Sequence, residues 1–297
     1  MLLSQFVRQA ASSLEALYHP REAQGLAQRL AEDIQGVKPY EWVISPSMEA
    51  SAELEDGLRR LLAGVPLQYV IGWQEFYGRR FHVEPGVLIP RPETEILVRE
   101  ACVRAMQLDR PRVLDLCTGS GCIAWSIALE VPGASVTAVD LSEAALAVAR
   151  EQKAGDLFTR GPSEAGSCTK RGGFVYEPPV FVRGDVLSAL ELPGGPFDIL
   201  TANPPYIRES EKALMHRNVL EHEPEMALFV PDDDPLLFYR AIARHALACL
   251  APDGWGIVEI NEAFGPQTAA VFTGAGLQKV GILADFFGKD RFVTFTL

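Results

Sequence analysis

The chain has 297 residues, 48% of them hydrophobic, which is enough for one large domain or two unequal domains with a substantial core. A formal net charge of −12 argues against a nucleic-acid partner, because such partners are usually bound by a basic surface. The sequence contains no uninterrupted run of about 18 apolar residues, so no membrane-spanning helix is predicted. Five scattered cysteines without C-x-x-C spacing predict neither a disulfide framework nor a zinc site, so a reducing cytoplasm is the expected location.

Residues 1–65 are predicted to form a small helical domain. Their apolar residues recur at helical spacing, and no alternating strand pattern interrupts them. Residues 66–92 are predicted to be a linker with a hairpin, since aromatic and β-branched residues flank "YGRR" and three prolines follow.

Residues 93–297 are predicted to form a third region, in which strands and helices alternate from residue 111 onward. The strand candidates are 112–116, 134–140, 180–185, 197–202, 254–260 and the C-terminal run "RFVTFTL". Such alternation implies a doubly wound α/β fold with a parallel sheet. Ser142 is a candidate N-cap for the helix after the second of these strands. Residues 154–178 are polar and rich in glycine, so they are predicted to form a surface loop.

The first candidate site is "VLDLCTGSG" at 113–121, where a strand, a glycine-containing turn and a helix follow one another. Glycines let a backbone pass close to a ligand, and the carboxyl ends of strands form the ligand crevice of doubly wound sheets. Asp140 ends the next strand, about 20 residues beyond Gly119, where a carboxylate can accept hydrogen bonds from ribose hydroxyls. The spacing is not the G-x-G-x-x-G dinucleotide fingerprint, so a plain turn and a helix-capping aspartate stay open as alternatives.

The second candidate site is "NPPY" at 203–206, directly after the strand candidate "FDILTA". Prolines are scarce in central strands because they lack the N–H that a β-ladder needs. A strand-terminating turn is therefore one interpretation of these residues, and a functional motif beside the same crevice is the other.

The stretches "DLCTGSG", "AVDLSEAAL" and "ILTANPPYI" together resemble the S-adenosylmethionine-dependent methyltransferases that act on amide or exocyclic amine nitrogens. Two further stretches, "PLQYVIGWQEFYG…VLIPRPETEILV" at 66–98 and "EHEPEMALF" at 221–229, resemble the release factor glutamine methyltransferases. Members of that family methylate the side-chain amide of the glutamine in the Gly-Gly-Gln loop of peptide chain release factors. The resemblance covers roughly residues 55–297, and residues 1–54 match only in helical character and length.

The resemblance implies a seven-strand, Rossmann-like methyltransferase sheet that a hairpin linker joins to a helical, substrate-recognising domain. It implies S-adenosyl-L-methionine as the cofactor, release factors as partners, and a monomer that uses no metal and contacts neither nucleic acid nor membrane. The implied cofactor-binding residues are Cys117, Thr118, Gly119, Ser120, Gly121, Asp140, Asp185, Val186 and Asn203.

The implied substrate-binding residues are Asn203, Pro204, Pro205 and Tyr206, of which Asn203, Pro204 and Tyr206 are catalytic. A carboxamide nitrogen is a poor nucleophile because its lone pair is delocalised into the carbonyl. The Asn203 side-chain oxygen and the Pro204 carbonyl can take its two N–H hydrogens, and the restricted proline φ angles pre-orient these acceptors. Tyr206 can pack on the amide or face the cationic sulfonium.

Some features depart from the family pattern. Cys117 stands where the family commonly has glycine, "VPDDDPL" replaces a glycine-rich stretch after "ALF", and the loop at 154–178 is longer than usual. The first alternative function is an adenine-N6 or other amine-directed DNA or RNA methyltransferase, although residues 1–84 hold 8 Lys/Arg against 11 Asp/Glu. The second alternative is a non-catalytic nucleotide-binding module, against which the intact "NPPY" argues.

Overall fold

The structure is a computed structural model that describes residues 1–152 and 176–297. The predicted surface loop at 154–178 lies outside the described residues except for its last three. In chain order the helices are α1 (Leu3–Leu14), α2 (Pro20–Gln35), α3 (Pro39–Ile44), α4 (Ala52–Leu62), α5 (Leu67–Ile71), α6 (Thr94–Ala105), α7 (Cys122–Glu130), α8 (Glu143–Glu151), α9 (Arg217–His222), α10 (Leu237–Cys249) and α11 (Gly265–Gly274). The strands are β1 (Trp73–Phe76), β2 (Arg79–His82), β3 (Arg112–Leu116), β4 (Ser135–Asp140), β5 (Val180–Arg183), β6 (Phe197–Ala202), β7 (Ile207–Arg208), β8 (Phe229–Val230), β9 (Leu250–Glu259), β10 (Gln278–Ala284) and β11 (Asp290–Thr296).

The described chain divides into two compact units. A helical unit comprises Met1–Trp73 and Met215–Glu223, and an α/β unit comprises Gln74–Leu214 and Pro224–Leu297. This grouping puts residues 66–73 and α9 with the helical unit, which the sequence did not suggest. The functional division at 65 and 92 stays a prediction.

The helical unit is held together by the apolar faces of its helices. Leu3, Phe6 and Leu14 of α1 pack in one core with residues of α2 and α4, among them Leu30 and Leu54. Pro20 begins α2, where a missing N–H costs nothing, and the left-handed Gly36 ends it. Among the described residues no helix is long and apolar enough to cross a bilayer.

A seven-stranded sheet organises the α/β unit, with strand order β10-β11-β9-β6-β3-β4-β5. Strands β9, β6, β3, β4 and β5 are parallel, and β11 lies antiparallel between β9 and β10. The chain moves from β3 outward to β4 and β5, and then crosses to β6 on the other side of β3. The carboxyl ends of β3 and its neighbours therefore meet at the switch point where doubly wound sheets bind ligands. This confirms the predicted doubly wound α/β fold. The sheet is mixed rather than parallel, because the C-terminal strand β11 runs antiparallel to both of its neighbours, and β10 was not predicted.

Two apolar cores cover the two faces of the sheet. Val113 of β3 belongs to the core beneath α6 and α7, whereas the next residue, Leu114, belongs to the core beneath α10 and α11. The predicted hairpin is also confirmed: β1 pairs with β2, and Tyr77 and Gly78 both have positive φ, as a type I′ turn requires.

Candidate active site

The turn after β3 contains three residues in the left-handed region. Their φ angles are 58° at Cys117, 54° at Gly119 and 77° at Gly121. A Cβ added at Gly121 would lie 3.1 Å from both Ala149 and Trp125, so that glycine is needed for packing. A Cβ at Gly119 would meet nothing within 4 Å, so Gly119 borders open space of the kind that a ligand fills.

Cys117 holds a left-handed conformation with a Cβ, which costs roughly 1–2 kcal/mol. We expect Cys117→Gly to have a free energy of unfolding about 1 kcal/mol higher than that of Cys117→Ala, and therefore to unfold at a higher urea concentration. The reason is that the backbone strain relieved by removing the Cβ exceeds the cost of the conformational entropy that glycine adds to the unfolded chain. Tryptophan fluorescence during urea unfolding measures the difference. At a position with negative φ, alanine is usually more stabilising than glycine. If Cys117→Ala were the more stable variant, the backbone at position 117 would not be strained.

Asp140 joins the turn after β3 to the start of α8. Its Oδ2 accepts a hydrogen bond from the Gly119 N–H at 2.8 Å, and its Oδ1 accepts one from the Ser142 N–H at 2.9 Å. Burial raises the pKa of the Asp140 carboxyl, and these backbone N–H groups oppose the rise. Ser142 caps α8 as predicted, accepting from the Ala145 N–H at 3.2 Å. Each oxygen of Asp140 keeps capacity for a further donor.

A second aspartate, Asp115 of β3, binds the turn after β3 through the Thr118 hydroxyl. It is fully buried, and its carboxylate accepts hydrogen bonds from the hydroxyls of Thr118, at 2.5 Å, and Thr201, at 2.7 Å. Burial raises the pKa of Asp115 to about 7, and the two hydroxyls oppose the rise. The Thr118 hydroxyl is thus committed to Asp115.

A cleft opens at the carboxyl ends of β3, β4, β5 and β6. The predicted site residues that line it are Cys117, Gly119, Asp140, Asp185, Val186, Asn203 and Pro205. Thr118, Ser120 and Gly121 are buried and are not among the lining residues, nor are Pro204 and Tyr206.

Residues that the sequence reasoning did not assign also line the cleft. They include Gly86, Leu88, Leu141, Met226 and Phe238. The stretches around 90 and 224 stood out in the sequence, but no local pattern indicated that loops so far apart meet at one cleft. Asp185 shapes the cleft near β5, because its Oδ1 accepts from the Leu187 N–H at 2.9 Å.

Acidic side chains lie around Cys117 in the cleft. Burial raises the pKa of the Cys117 thiol well above its usual value, and the carboxylates of Asp140, Asp115 and Asp185 raise it further. A cation is favoured in such a place, and a pyrophosphate is disfavoured. Among the described residues, no group of three or more His, Cys, Asp or Glu side chains is arranged to hold a metal ion.

"NPPY" follows β6 and is held by a buried polar network. The Asn203 Nδ2 donates a hydrogen bond to the Thr94 Oγ1 at 3.2 Å, and the Thr94 hydroxyl donates to the Glu259 Oε2 at 2.6 Å. The Tyr206 hydroxyl donates to the Glu259 Oε1 at 3.0 Å, and Asn261 Nδ2 donates to the Tyr206 carbonyl at 3.1 Å. Thr94 lies in the stretch 66–98 that carries the family resemblance but was assigned no role from the sequence, and Glu259 and Asn261 carried no signal.

Burial raises the pKa values of two ionisable groups in this network, Glu259 and Tyr206. Burial raises the pKa of the Glu259 carboxyl, while the Thr94 and Tyr206 hydroxyls and the Arg291 guanidinium oppose the rise. Burial and the Glu259 carboxylate raise the pKa of the Tyr206 phenol well above its usual value. Tyr206 is therefore a neutral hydrogen-bond donor.

Two acceptors of "NPPY" stay available. Across residues 1–152 and 176–297 no hydrogen bond is made to the Asn203 Oδ1 or to the Pro204 carbonyl. Each of these two atoms therefore keeps the capacity to accept a hydrogen bond, and of the two residues Asn203 lines the cleft. A primary amide or amine offers two N–H donors.

The chain is similar in sequence to known methyltransferases. Residues 93–161 match the family model described as "Methyltransferase small domain". The chain is 40% identical over 296 residues to the release factor glutamine methyltransferase of Bacteroides thetaiotaomicron, covering 98% of each chain. It is 33% identical over 301 residues to that of Flavobacterium psychrophilum, covering 99% of this chain and 98% of the relative.

A solved structure is also similar, the release-factor-specific protein-(glutamine-N5) methyltransferase from Alicyclobacillus acidocaldarius. It is 30% identical, with a TM-score of 0.40 over 73% of this chain and 98% of that chain. The curated relatives match the present chain over nearly its whole length at identities of 33% and 40%. The chain therefore belongs to the family of release factor glutamine methyltransferases and is a methyltransferase.

Proposed function

We propose that the chain transfers the methyl group of S-adenosyl-L-methionine to the side-chain amide nitrogen of the glutamine in the Gly-Gly-Gln loop of peptide chain release factors. The observation that carries the proposal is the pair of available acceptors, Asn203 Oδ1 and the Pro204 carbonyl. The names of the full-length relatives support the choice of release factors as the protein substrate.

The residues of the cleft fit the cofactor. Asp140 has acceptor capacity for ribose hydroxyls, and Gly119 leaves open space beside it. Leu141 and Val186 offer apolar surface for an adenine, and the surrounding carboxylates suit a positive charge. When bound, S-adenosyl-L-methionine supplies a methyl group on a positively charged sulfur.

The role of "NPPY" is to orient and activate the amide nitrogen. Two accepted N–H hydrogens fix the plane of the amide and raise the electron density on its nitrogen. Pro204 and Pro205 are buried and their φ angles are restricted, so the acceptors are held before the substrate arrives. The Tyr206 hydroxyl donates to Glu259, which leaves its ring as the part that can contact the amide or the sulfonium.

The same pair of acceptors would fit the exocyclic amine of adenine, so the substrate must be tested directly. A base in a duplex must first be flipped out at a cost of about a few kcal/mol, which phosphate contacts usually offset. A chain with a net charge of −12 is poorly suited to make such contacts. We infer that the helical unit contributes to recognition of the folded release factor.

The test is methyl transfer by the full chain at physiological salt, with mass-spectrometric mapping of the product. The substrates are a folded release factor, the same factor with asparagine in place of the loop glutamine, a short Gly-Gly-Gln peptide, and single-stranded and duplex DNA. We expect methylation of the folded factor at that glutamine, weak methylation of the peptide and none of the asparagine form. Faster methylation of DNA would overturn the substrate assignment and leave the family assignment intact.

A further inference from the structure

We propose that Thr94 and Glu259 are positioning residues for the side-chain amide of Asn203. This amide has two orientations related by half a turn, and the two residues hold it in the orientation that presents Oδ1 to the substrate. The inference rests on the proposed function, because it specifies how the acceptor at position 203 is set. Neither residue needs to touch the substrate or the cofactor for this role.

The three side chains form a continuous buried chain of hydrogen bonds. Thr94 is the first residue of α6 and is 2% exposed, and Glu259 is the last residue of β9 and is 1% exposed. The distance is 2.6 Å from the Thr94 Oγ1 to the Glu259 Oε2 and 3.2 Å from the Asn203 Nδ2 to the Thr94 Oγ1. Water cannot easily substitute for a partner lost at this depth, so the direction of each bond matters.

The direction of the bonds follows from the number of hydrogens. A carboxylate only accepts, and a threonine hydroxyl has one hydrogen to give. Since Thr94 gives its hydrogen to Glu259, it can only accept from position 203, and the NH₂ group of Asn203 must face it. The Oδ1 of Asn203 is then turned away from Thr94 and is free to accept from a ligand.

The opposite orientation of the amide is disfavoured on both of its sides. Rotation by half a turn would place the Asn203 Oδ1 against the Thr94 oxygen, so that two acceptors would meet. It would also place the NH₂ group of Asn203 against the N–H groups of the substrate amide, so that two donors would meet. A bond to a charged acceptor is roughly twice as strong as a neutral one, so the link between Thr94 and Glu259 sets the direction of the bond between Thr94 and Asn203.

Glu259 connects the two ends of "NPPY". Its Oε2 accepts from Thr94, which holds Asn203, and its Oε1 accepts from the Tyr206 hydroxyl at 3.0 Å. The Tyr239 hydroxyl donates to the Glu259 backbone carbonyl at 3.3 Å, which fixes the residue from the direction of α10. One carboxylate thus holds the amide acceptor and the aromatic residue of the motif.

The test compares Thr94→Val, which keeps the shape and removes the hydroxyl, with Thr94→Ser, which keeps the hydroxyl. The matched control is Thr268→Val in α11, because Thr268 is fully buried and its Oγ1 has no hydrogen-bond partner in the described part of the chain. Each variant is assayed for kcat with release factor, for cofactor Kd by calorimetry and for thermal midpoint.

A second readout needs no substrate. The chain has three asparagines, Asn203, Asn218 and Asn261, so selective ¹⁵N labelling of asparagine side chains gives three amide groups to observe by NMR. The Asn203→Ala variant assigns the signal of interest, and Asn218, on α9, serves as the reference.

We expect Thr94→Val to lower kcat on the order of 10- to 100-fold, with cofactor Kd changed less than about threefold, because misplacing an acceptor affects the reacting geometry. Thr94→Ser and Thr268→Val should keep kcat within about threefold of the unmodified enzyme. The Asn203 side-chain amide signals should shift in Thr94→Val, return in Thr94→Ser and stay unchanged in Thr268→Val.

Unchanged kcat and unchanged Asn203 signals in Thr94→Val would overturn the inference. Equal losses in Thr94→Val and Thr94→Ser, or in Thr268→Val, would also overturn it, because they would indicate a general packing effect. If the unmodified enzyme fails to methylate release factor, the proposed function is wrong, whereas the NMR comparison still decides whether the Thr94 hydroxyl holds the NH₂ group of Asn203.

Discussion

Asn203→Ala is expected to lower kcat for methyl transfer to release factor by roughly 100- to 1,000-fold, the range seen when one pre-organised polar group is removed from an active site. The substitution removes the Oδ1 acceptor that takes one N–H of the substrate amide, and it leaves the Pro204 carbonyl as the remaining acceptor. It also leaves the Thr94 hydroxyl oxygen without the Nδ2 donor that it now accepts from. Turnover under saturating cofactor and release factor measures the loss.

Cofactor affinity separates this role from a general effect on the cleft. Asn203 lines the cleft, but the groups assigned to ribose and adenine lie on β4 and after β5. We therefore expect the cofactor Kd of Asn203→Ala to stay within about threefold of the original value. A Kd that rises in proportion to the fall in kcat would mean that Asn203 serves the cofactor rather than the amide.

The parts of the fold that local chemistry determines were predictable from the sequence. "RVLDL" and "FDILTA" are apolar runs bounded by turn residues, and they form β3 and β6 as expected. The positive φ angles at Tyr77 and Gly78 close the predicted hairpin. Strand β10 was missed because it lies at the edge of the sheet and half-exposed residues there show no alternation of apolar and polar types.

The site was predictable only where its residues are contiguous. "NPPY" and the turn at 117–121 could be read as motifs, whereas Glu259 lies 56 positions beyond Asn203 along the chain. The sheet brings the two together, because β6 pairs with β9 in a register that sets Ala202 beside Val258. Asn203 directly follows Ala202, and Glu259 directly follows Val258, so these two residues also lie side by side. No local pattern in the sequence encodes which strands are neighbours or in what register.

The same reasoning explains why the buried aspartate was not assigned a role. Asp115 was part of a quoted motif, but its partner Thr201 lies on another strand, and the parallel register of β3 and β6 places the two side by side. The sequence also left open whether Asp140 caps a helix or faces a ligand. In the structure Ser142 is the N-cap of α8, whereas Asp140 accepts from the Ser142 N–H and lines the cleft.

Asp140→Ala is expected to weaken cofactor binding by roughly 1.5–3 kcal/mol, the usual range for hydrogen bonds to a charged group, which is about 10- to 150-fold in Kd. Two causes act together. The carboxylate that would accept from the ribose hydroxyls is lost, and the Gly119 and Ser142 N–H groups lose the acceptor that holds the turn against α8. Calorimetric titration with the cofactor measures the change.

Asp198→Ala is the matched control for this loss. Asp198 also accepts a backbone N–H, from Arg112 at 2.8 Å, but it lies near the start of β6 and does not line the cleft. Its removal should lower stability and leave the cofactor Kd unchanged. In Asp140→Ala, turnover should largely recover once the cofactor concentration exceeds the raised Kd, whereas in Asn203→Ala no cofactor concentration should restore it, because the missing acceptor belongs to the substrate amide. An Asp140→Ala enzyme with the original Kd would show that the carboxylate only shapes the turn.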